Sequence, residues 1–279
     1  MEERIIRGLH IAYYPPTGSD RKSAVIGTHG FLSSIKELGK ILPEKLSAAG
    51  FHVFLYDHFG HGRSSGPRGF ADVPALLAAF WEVRNHAHVS LKDPSMKFFG
   101  LGHSLGTIPV LLHANHLNGA VLVSPMRRLD DSLNRWEKLL YPILYYGVTL
   151  PLNFVAQLMG LDWELRIPYK FTRYHLFSEH IYADQAELDL EAYTPARNYA
   201  LTRVVDNEAA AKNTRTPILV VAGKQDIVTG VVPSQQIYNA LPAPDKTQKI
   251  LDRSGHSVFQ DHQGHIAIDA IVQWLVAHS

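Results

Sequence analysis

Short apolar runs closed by Gly, Pro or Asp alternate along this chain with longer stretches of helical periodicity. The runs SAVIG (23–27), HVFLYD (52–57), KFFGLG (97–102), GAVLV (119–123), PILVVAG (217–223) and QKILD (248–252) are mostly continuous rather than alternating. Continuous apolar strands are those buried on both faces of a parallel sheet. Helical patterns fill the gaps at 35–49, 73–89, 105–117, 234–241 and 262–277. In the last of these Ile266, Ala270, Ile271 and Trp274 fall on one face. Strand and helix in this rhythm predict a doubly wound, mostly parallel α/β sheet.

The rhythm breaks between about Met126 and Asn207, where no strand is convincing. The break predicts a core domain built from 1–125 and 207–279, with 126–206 as a helical insertion over one end of the sheet. Inside it, LLYPILYYGVTLPLNFVAQLMGL (139–161) carries no formal charge and is long enough to cross a bilayer. Pro142, Gly147, Pro151, Asn153 and Gln157, with sheet-forming segments on both sides, argue against a span. Two readings are left: two short helices buried against the core, or a lid lining an apolar pocket and open to lipid. Its position over the carboxyl ends of the strands, where α/β sheets place their ligands, favours the lid.

Composition narrows the partners. The 279 residues are 46% hydrophobic and 19% charged, with a formal net charge of +1 and no basic run, so no nucleic-acid partner is expected. The absence of cysteine excludes disulfides, thiolate metal sites and a cysteine nucleophile. The opening MEERIIRGLHIAYYPPTGSD has charges where a signal peptide needs an apolar core, so the expected location is the cytoplasm.

The stretch GHSLG (102–106) matches G-x-S-x-G between a strand ending at Gly102 and a helical pattern. A tight turn needing small residues and a nucleophile held on a strained elbow both account for the glycines; the strand–turn–helix setting favours the elbow. A serine hydroxyl needs a base, and in this fold an acid and then a histidine follow it along the chain. Asp226 in VVAGKQDIV and His256 in LDRSGHSVF each sit just past a predicted strand, in that order. Ser104, Asp226 and His256 are therefore the candidate catalytic residues. The backbone N–H groups of Leu105 and of Phe31, in THGFLSS, are the candidate oxyanion donors. His86/His88 and His113/His116 lack a carboxylate in ligand register, and no Walker or G-x-G-x-x-G loop is present, so neither metal nor nucleotide cofactor is expected.

Taken together, THGF (28–31), DHFGHGRSSGPRG (57–69), GHSLG, GKQD (223–226) and SGH (254–256) resemble the α/β-hydrolase superfamily. The second motif is most similar to the monoacylglycerol lipase and lysophospholipase branch, grouped with serine aminopeptidases. The resemblance implies an α/β-hydrolase fold with a helical cap inserted after the sixth strand. It also implies the triad and oxyanion hole just named, a mainly structural loop at Asp57, Gly60, His61, Gly62 and Ser64, and no cofactor. Two departures stand out. Pro109 predicts a kinked elbow helix, and FLSS replaces the polar stretch usual after His29–Gly30. The expected activity is hydrolysis of carboxylic esters of acyl-chain lipids, monoacylglycerol or lysophospholipid in type, with transient membrane contact through the cap left open. Two alternatives stand beside it: an aminopeptidase whose cap carboxylates (Glu179, Asp184, Glu187, Asp189, Glu191) hold an ammonium, and a hydrolase-fold protein that binds ligand without turnover.

Overall fold

The computed structural model describes residues 1–31, 33–66, 69, 73–128, 135–160, 166–168, 193–195, 206–242 and 244–279. Among these, the strands are β1 (Glu2–Ile6), β2 (Leu9–Tyr14), β3 (Ser23–Thr28), β4 (His52–Tyr56), β5 (Lys97–His103), β6 (Gly119–Val123), β7 (Arg166–Pro168), β8 (Tyr193–Pro195), β9 (Ile218–Gly223) and β10 (Lys246–Leu251). The helices are α1 (Ile41–Ala48), α2 (Val73–Leu91), α3 (Thr107–Leu112), α4 (Arg135–Leu144), α5 (Leu150–Leu158), α6 (Asn207–Lys212), α7 (Val231–Ala240) and α8 (Gly264–His278).

Eight strands form one sheet in the order β1-β2-β4-β3-β5-β6-β9-β10. β1 and β2 pair antiparallel, as do β2 and β4; every later pairing is parallel. Strands β3, β6 and β9 have no exposed position. Their side chains alternate between two cores, as the period of two requires. Ala24, Ile26, Ala120, Leu122, Ile218 and Val220 pack with Phe80 and Val83 of α2, Val110 of α3 and Ile237 of α7. Val25, Val121, Val123, Leu219 and Val221 pack on the other face with Leu42 and Leu46 of α1 and Ile268, Ile271 and Trp274 of α8. Apolar strands covered on both sides by helices are what the continuous runs predict.

The structure departs from the sequence pattern in several places: the helix expected over 35–49 is split into a 3₁₀ turn and α1, α6 was not expected, and three further differences accompany these. The N-terminal segment, not read as sheet, forms the β1–β2 hairpin, turned by Arg7 and Gly8 with φ of 48° and 83°. Two positive φ values match the right-handed twist of a two-residue hairpin. Second, the stretch read as strand-free holds a short ladder, β7 with β8. Third, the helix expected over 105–117 is divided into a 3₁₀ turn at Ser104–Gly106, α3, and a 3₁₀ turn at Ala114–His116. Pro109 is the third residue of α3, where an N–H has no intrahelical partner, so the proline removes no helical bond.

Between β6 and β9 the chain leaves the sheet and returns to pair in parallel with the strand it left. The two ends of the excursion are tied together. Asn207 donates its N–H to the Arg127 carbonyl and its side-chain amide to the Met126 carbonyl, both at 2.8 Å, and Arg128 bridges Asp206. Within the excursion α4 and α5 are joined by a π-helical turn at Tyr145–Thr149. Trp136, Leu139, Ile143, Phe154 and Leu158 are each more than half exposed, so these helices do not bury that face against the core. Among the described residues no helix is long and apolar enough to cross a membrane. The cap carboxylates Glu179, Asp184, Glu187, Asp189 and Glu191 lie outside the described residues.

Phe99 on β5 is fully buried among α1, α8 and the neighbouring strands. Phe99→Ala should lower stability by about 3–5 kcal/mol in urea denaturation, and a loss below about 1 kcal/mol would contradict this packing.

Candidate active site

The parallel strands end at one edge, and the loops leaving that edge carry the chemistry-bearing side chains. β5 delivers Ser104, whose φ of 50° lies in the left-handed region. An L-residue held there is strained by about 1–2 kcal/mol, so the turn is held by close packing. A Cβ on Gly102 would stand 2.3 Å from the Gly106 carbonyl oxygen, and one on Gly106 would stand 2.7 Å from that of His29. Only glycine fits at either position.

The loop after β9 supplies Asp226 and the loop after β10 supplies His256. His256 Nε2 lies 2.8 Å from Ser104 Oγ, and its Nδ1 lies 2.9 Å from Asp226 Oδ2. An ionised carboxylate can only accept, so Nδ1 carries the hydrogen and Nε2 is left to accept from the serine hydroxyl. Asp226 takes three further hydrogen bonds: to Oδ1 from the N–H groups of Val228 (2.9 Å) and Thr229 (3.0 Å), and to Oδ2 from the Thr229 hydroxyl (2.8 Å). Burial alone would raise its pKa; the His256 ring and these donors outweigh burial and hold the carboxyl well below its ordinary range. All three residues are buried.

The two residues expected to supply oxyanion amides both lie near Ser104. Leu105 follows Ser104 directly and is buried with Leu76 and Ile108, against which Phe31 packs. A Cβ on Gly30 would stand 3.2 Å from Ser104 Cβ, so the Gly30–Phe31 turn passes as close to the serine as a backbone can. His29 is architectural: its Nδ1 donates to the Gly30 carbonyl at 2.7 Å and its Nε2 accepts from the His58 N–H at 3.1 Å. Asp57 likewise joins segments, accepting from His10 Nδ1 and from the Ile35 and Arg63 N–H groups. His113 stacks on Phe80 and Trp81 and donates to the Leu77 carbonyl, a packing position.

The sequence reading missed four side chains that hold the site. Thr229 and Ser124 do so by hydroxyl bonds, Ser124 Oγ donating to the His256 carbonyl at 2.9 Å. The other two form a buried ion pair behind the elbow, His103 Nδ1 lying 3.1 Å from Glu37 Oε2. His103 Nε2 donates to the His256 carbonyl at 2.8 Å, and Glu37 Oε2 accepts the Gly30 N–H at 2.6 Å. Burial opposes charge on both groups, but the opposite charge prevails: Glu37 is lowered to about 2, and His103 is raised above its ordinary value.

A serine on a left-handed strand–helix elbow, bonded to a histidine and through it to an aspartate, all at the carboxyl edge of this strand order, defines an α/β-hydrolase. The family model described as serine aminopeptidase, S33 matches residues 19–263. The chain belongs to that family. It is similar to a monoacylglycerol lipase of Mycolicibacterium smegmatis, 25% identical over 98% of this chain and 95% of the relative. A monoglyceride lipase of Rattus norvegicus is also 25% identical, over 91% of this chain and 81% of its own. Among solved structures, the monoacylglycerol lipase of Paleococcus ferrophilus superposes with a TM-score of 0.71 over the whole of both chains at 24% identity. A soluble variant of the Saccharomyces cerevisiae monoglyceride lipase, in complex with a substrate analog, gives 0.75 over 100% of this chain and 95% of its own at 17% identity.

Glu37 sets a pH signature. Its folded pKa lies below the ordinary 4.5, so the ionised form stabilises the fold above that value, and this contribution is lost as pH falls from about 4.5 to about 2. Glu37→Gln should flatten the fall of Tm with acidification across that window, and an unchanged slope would contradict the pairing. His103, raised, contributes below its ordinary 6.5 and loses that contribution as pH rises through its folded value.

Proposed function

We propose that this chain is a serine hydrolase of carboxylic esters that works through an acyl-enzyme and needs no cofactor. The observation that carries the proposal is the continuous chain Ser104 Oγ–His256 Nε2 and His256 Nδ1–Asp226 Oδ2, at 2.8 and 2.9 Å. In this reading His256 takes the Ser104 proton as the oxygen attacks the ester carbonyl. Asp226 holds the ring in the reactive tautomer and stabilises the imidazolium. The tetrahedral oxyanion accepts from the Phe31 and Leu105 amides. The imidazolium then protonates the leaving alcohol, and water, activated by the same ring, releases the acid.

For substrate we propose esters of acyl-chain lipids, with residues 126–206 as the cap that selects them. Two things support this: the exposed apolar side chains of α4 and α5, and the lipase names of the full-length relatives. The Met126–Arg128 and Asp206–Asn207 ties support a cap that starts and ends at one anchor. The same apolar face suits brief contact with a lipid surface, which flotation with phosphatidylcholine vesicles would test. The name of the matched family keeps the aminopeptidase alternative in view; cleavage of an aminoacyl anilide faster than of a p-nitrophenyl ester would favour it.

Ser104→Ala should abolish labelling by a fluorophosphonate that marks the wild-type protein, and retained labelling would overturn the nucleophile assignment. Asp226→Asn should lower kcat on the order of 10⁴-fold, because the ring is then held in the wrong tautomer. Burial of each chain CH₂ is worth about 0.8 kcal/mol, or up to roughly fourfold in kcat/KM. A p-nitrophenyl series from acetate to palmitate should therefore rise with chain length before it levels off. A flat series would reject the acyl slot.

A further inference from the structure

Glu37 and His103 take no part in the proton path just described, yet both are buried beside it. His103 precedes Ser104 in the chain, and its ring is fully buried, with its centroid 5.0 Å from that of His256 and 6.0 Å from that of Phe259. Its two nitrogens face the Glu37 carboxylate on one side and the His256 backbone carbonyl on the other. The carbonyl can only accept, so Nε2 carries a hydrogen, and the ionised Glu37 beside Nδ1 favours the charged form of the ring. Glu37 reaches the pair from the 3₁₀ turn Ile35–Leu38 and accepts the Gly30 N–H. Three stretches far apart in sequence thus meet on one carboxylate–imidazole unit: the neighbouring Gly30–Phe31 and 35–38 turns, the elbow strand and the His256 loop.

We infer that Glu37 and His103 are positioning residues for ester hydrolysis, fixing the His256 loop and the Gly30–Phe31 amide turn to the elbow that carries Ser104. The inference rests on the serine-hydrolase reading above and adds residues to it. A buried ion pair is a poor source of net stability, because desolvation offsets its attraction. What such a pair supplies is direction: charge-assisted bonds are short and sharply oriented. Here they end on the two backbone groups whose displacement would misalign base and oxyanion donor. The His256 carbonyl is gripped by His103 and by Ser124, so rotation of that peptide is blocked while the imidazole stays free to exchange a proton. The Gly30 N–H, held by Glu37, orients the turn from which the Phe31 amide follows. Misplacement by about 1 Å at such a site lowers turnover on the order of 100-fold.

The test compares wild type, Glu37→Gln and His103→Gln by active-site titration with a fluorophosphonate and by steady-state hydrolysis of p-nitrophenyl butyrate. Positioning predicts that folded variants titrate fully, with kcat per titrated site lower on the order of 10- to 100-fold and KM within about twofold of wild type. A pair that only supports the fold predicts fewer titratable sites, each turning over at the wild-type rate, and that result overturns the inference. If a single variant does not fold because one charge is left unpaired, the double variant Glu37→Gln/His103→Gln carries the same test. Lowered kcat per site supports the inference, and wild-type kcat per site overturns it. Failure of the wild-type protein to label, or labelling of Ser104→Ala, would instead overturn the serine-hydrolase reading itself.

Discussion

The structure around the site depends on how one residue, His256, is held. Its Nδ1 is fixed by Asp226, its Nε2 meets Ser104, and its backbone carbonyl accepts from Ser124 and His103. These partners come from the ends of three strands, β5, β6 and β9, and His256 itself follows a fourth, β10, so the histidine is placed correctly only if the sheet order places those ends side by side. The sheet does so because β5, β6, β9 and β10 run parallel in consecutive positions. Parallel neighbours direct all their carboxyl ends to one edge, and apolar packing on both faces fixes their register. Geometry at 2.8 Å is thus the product of two hydrophobic cores some distance from it.

The site contains the same chemical couple twice, a carboxylate beside an imidazole. Asp226 and Glu37 are both buried and both held in the ionised form. What differs is the far nitrogen of each ring. For His256 it faces a hydroxyl, which can donate to it. For His103 it faces a carbonyl, which can only accept, so that nitrogen carries a hydrogen. One couple ends on a hydroxyl and the other on a backbone carbonyl.

Much of this was legible along the chain. The interior strands announced themselves because burial on both faces demands unbroken apolar runs, and Ser104 and Asp226 each follow such a run, while His256 follows the more polar edge strand β10. The β1–β2 hairpin was not legible. EERII is almost wholly exposed and its Arg7–Gly8 turn lacks the Asn or Asp that usually marks a two-residue loop. Glu37 left no local trace either, since a carboxylate in a 3₁₀ turn reads as a surface residue until the fold brings the elbow over it. Thr229, three residues after Asp226, could have been anticipated from the habit of acidic side chains to gather nearby backbone and hydroxyl donors. Pro109 misled for a structural reason. The kink it predicts needs a helical bond to break, and in the first turn there is none.

The tie between Met126–Arg128 and Asp206–Asn207 has an evolutionary corollary. Because the excursion departs and returns at one point, its interior can lengthen, shorten or change sequence with little entropic penalty to the rest, each doubling of such a loop adding only about 0.6 kcal/mol. The sheet and the segment between those anchors can therefore diverge in sequence at different rates.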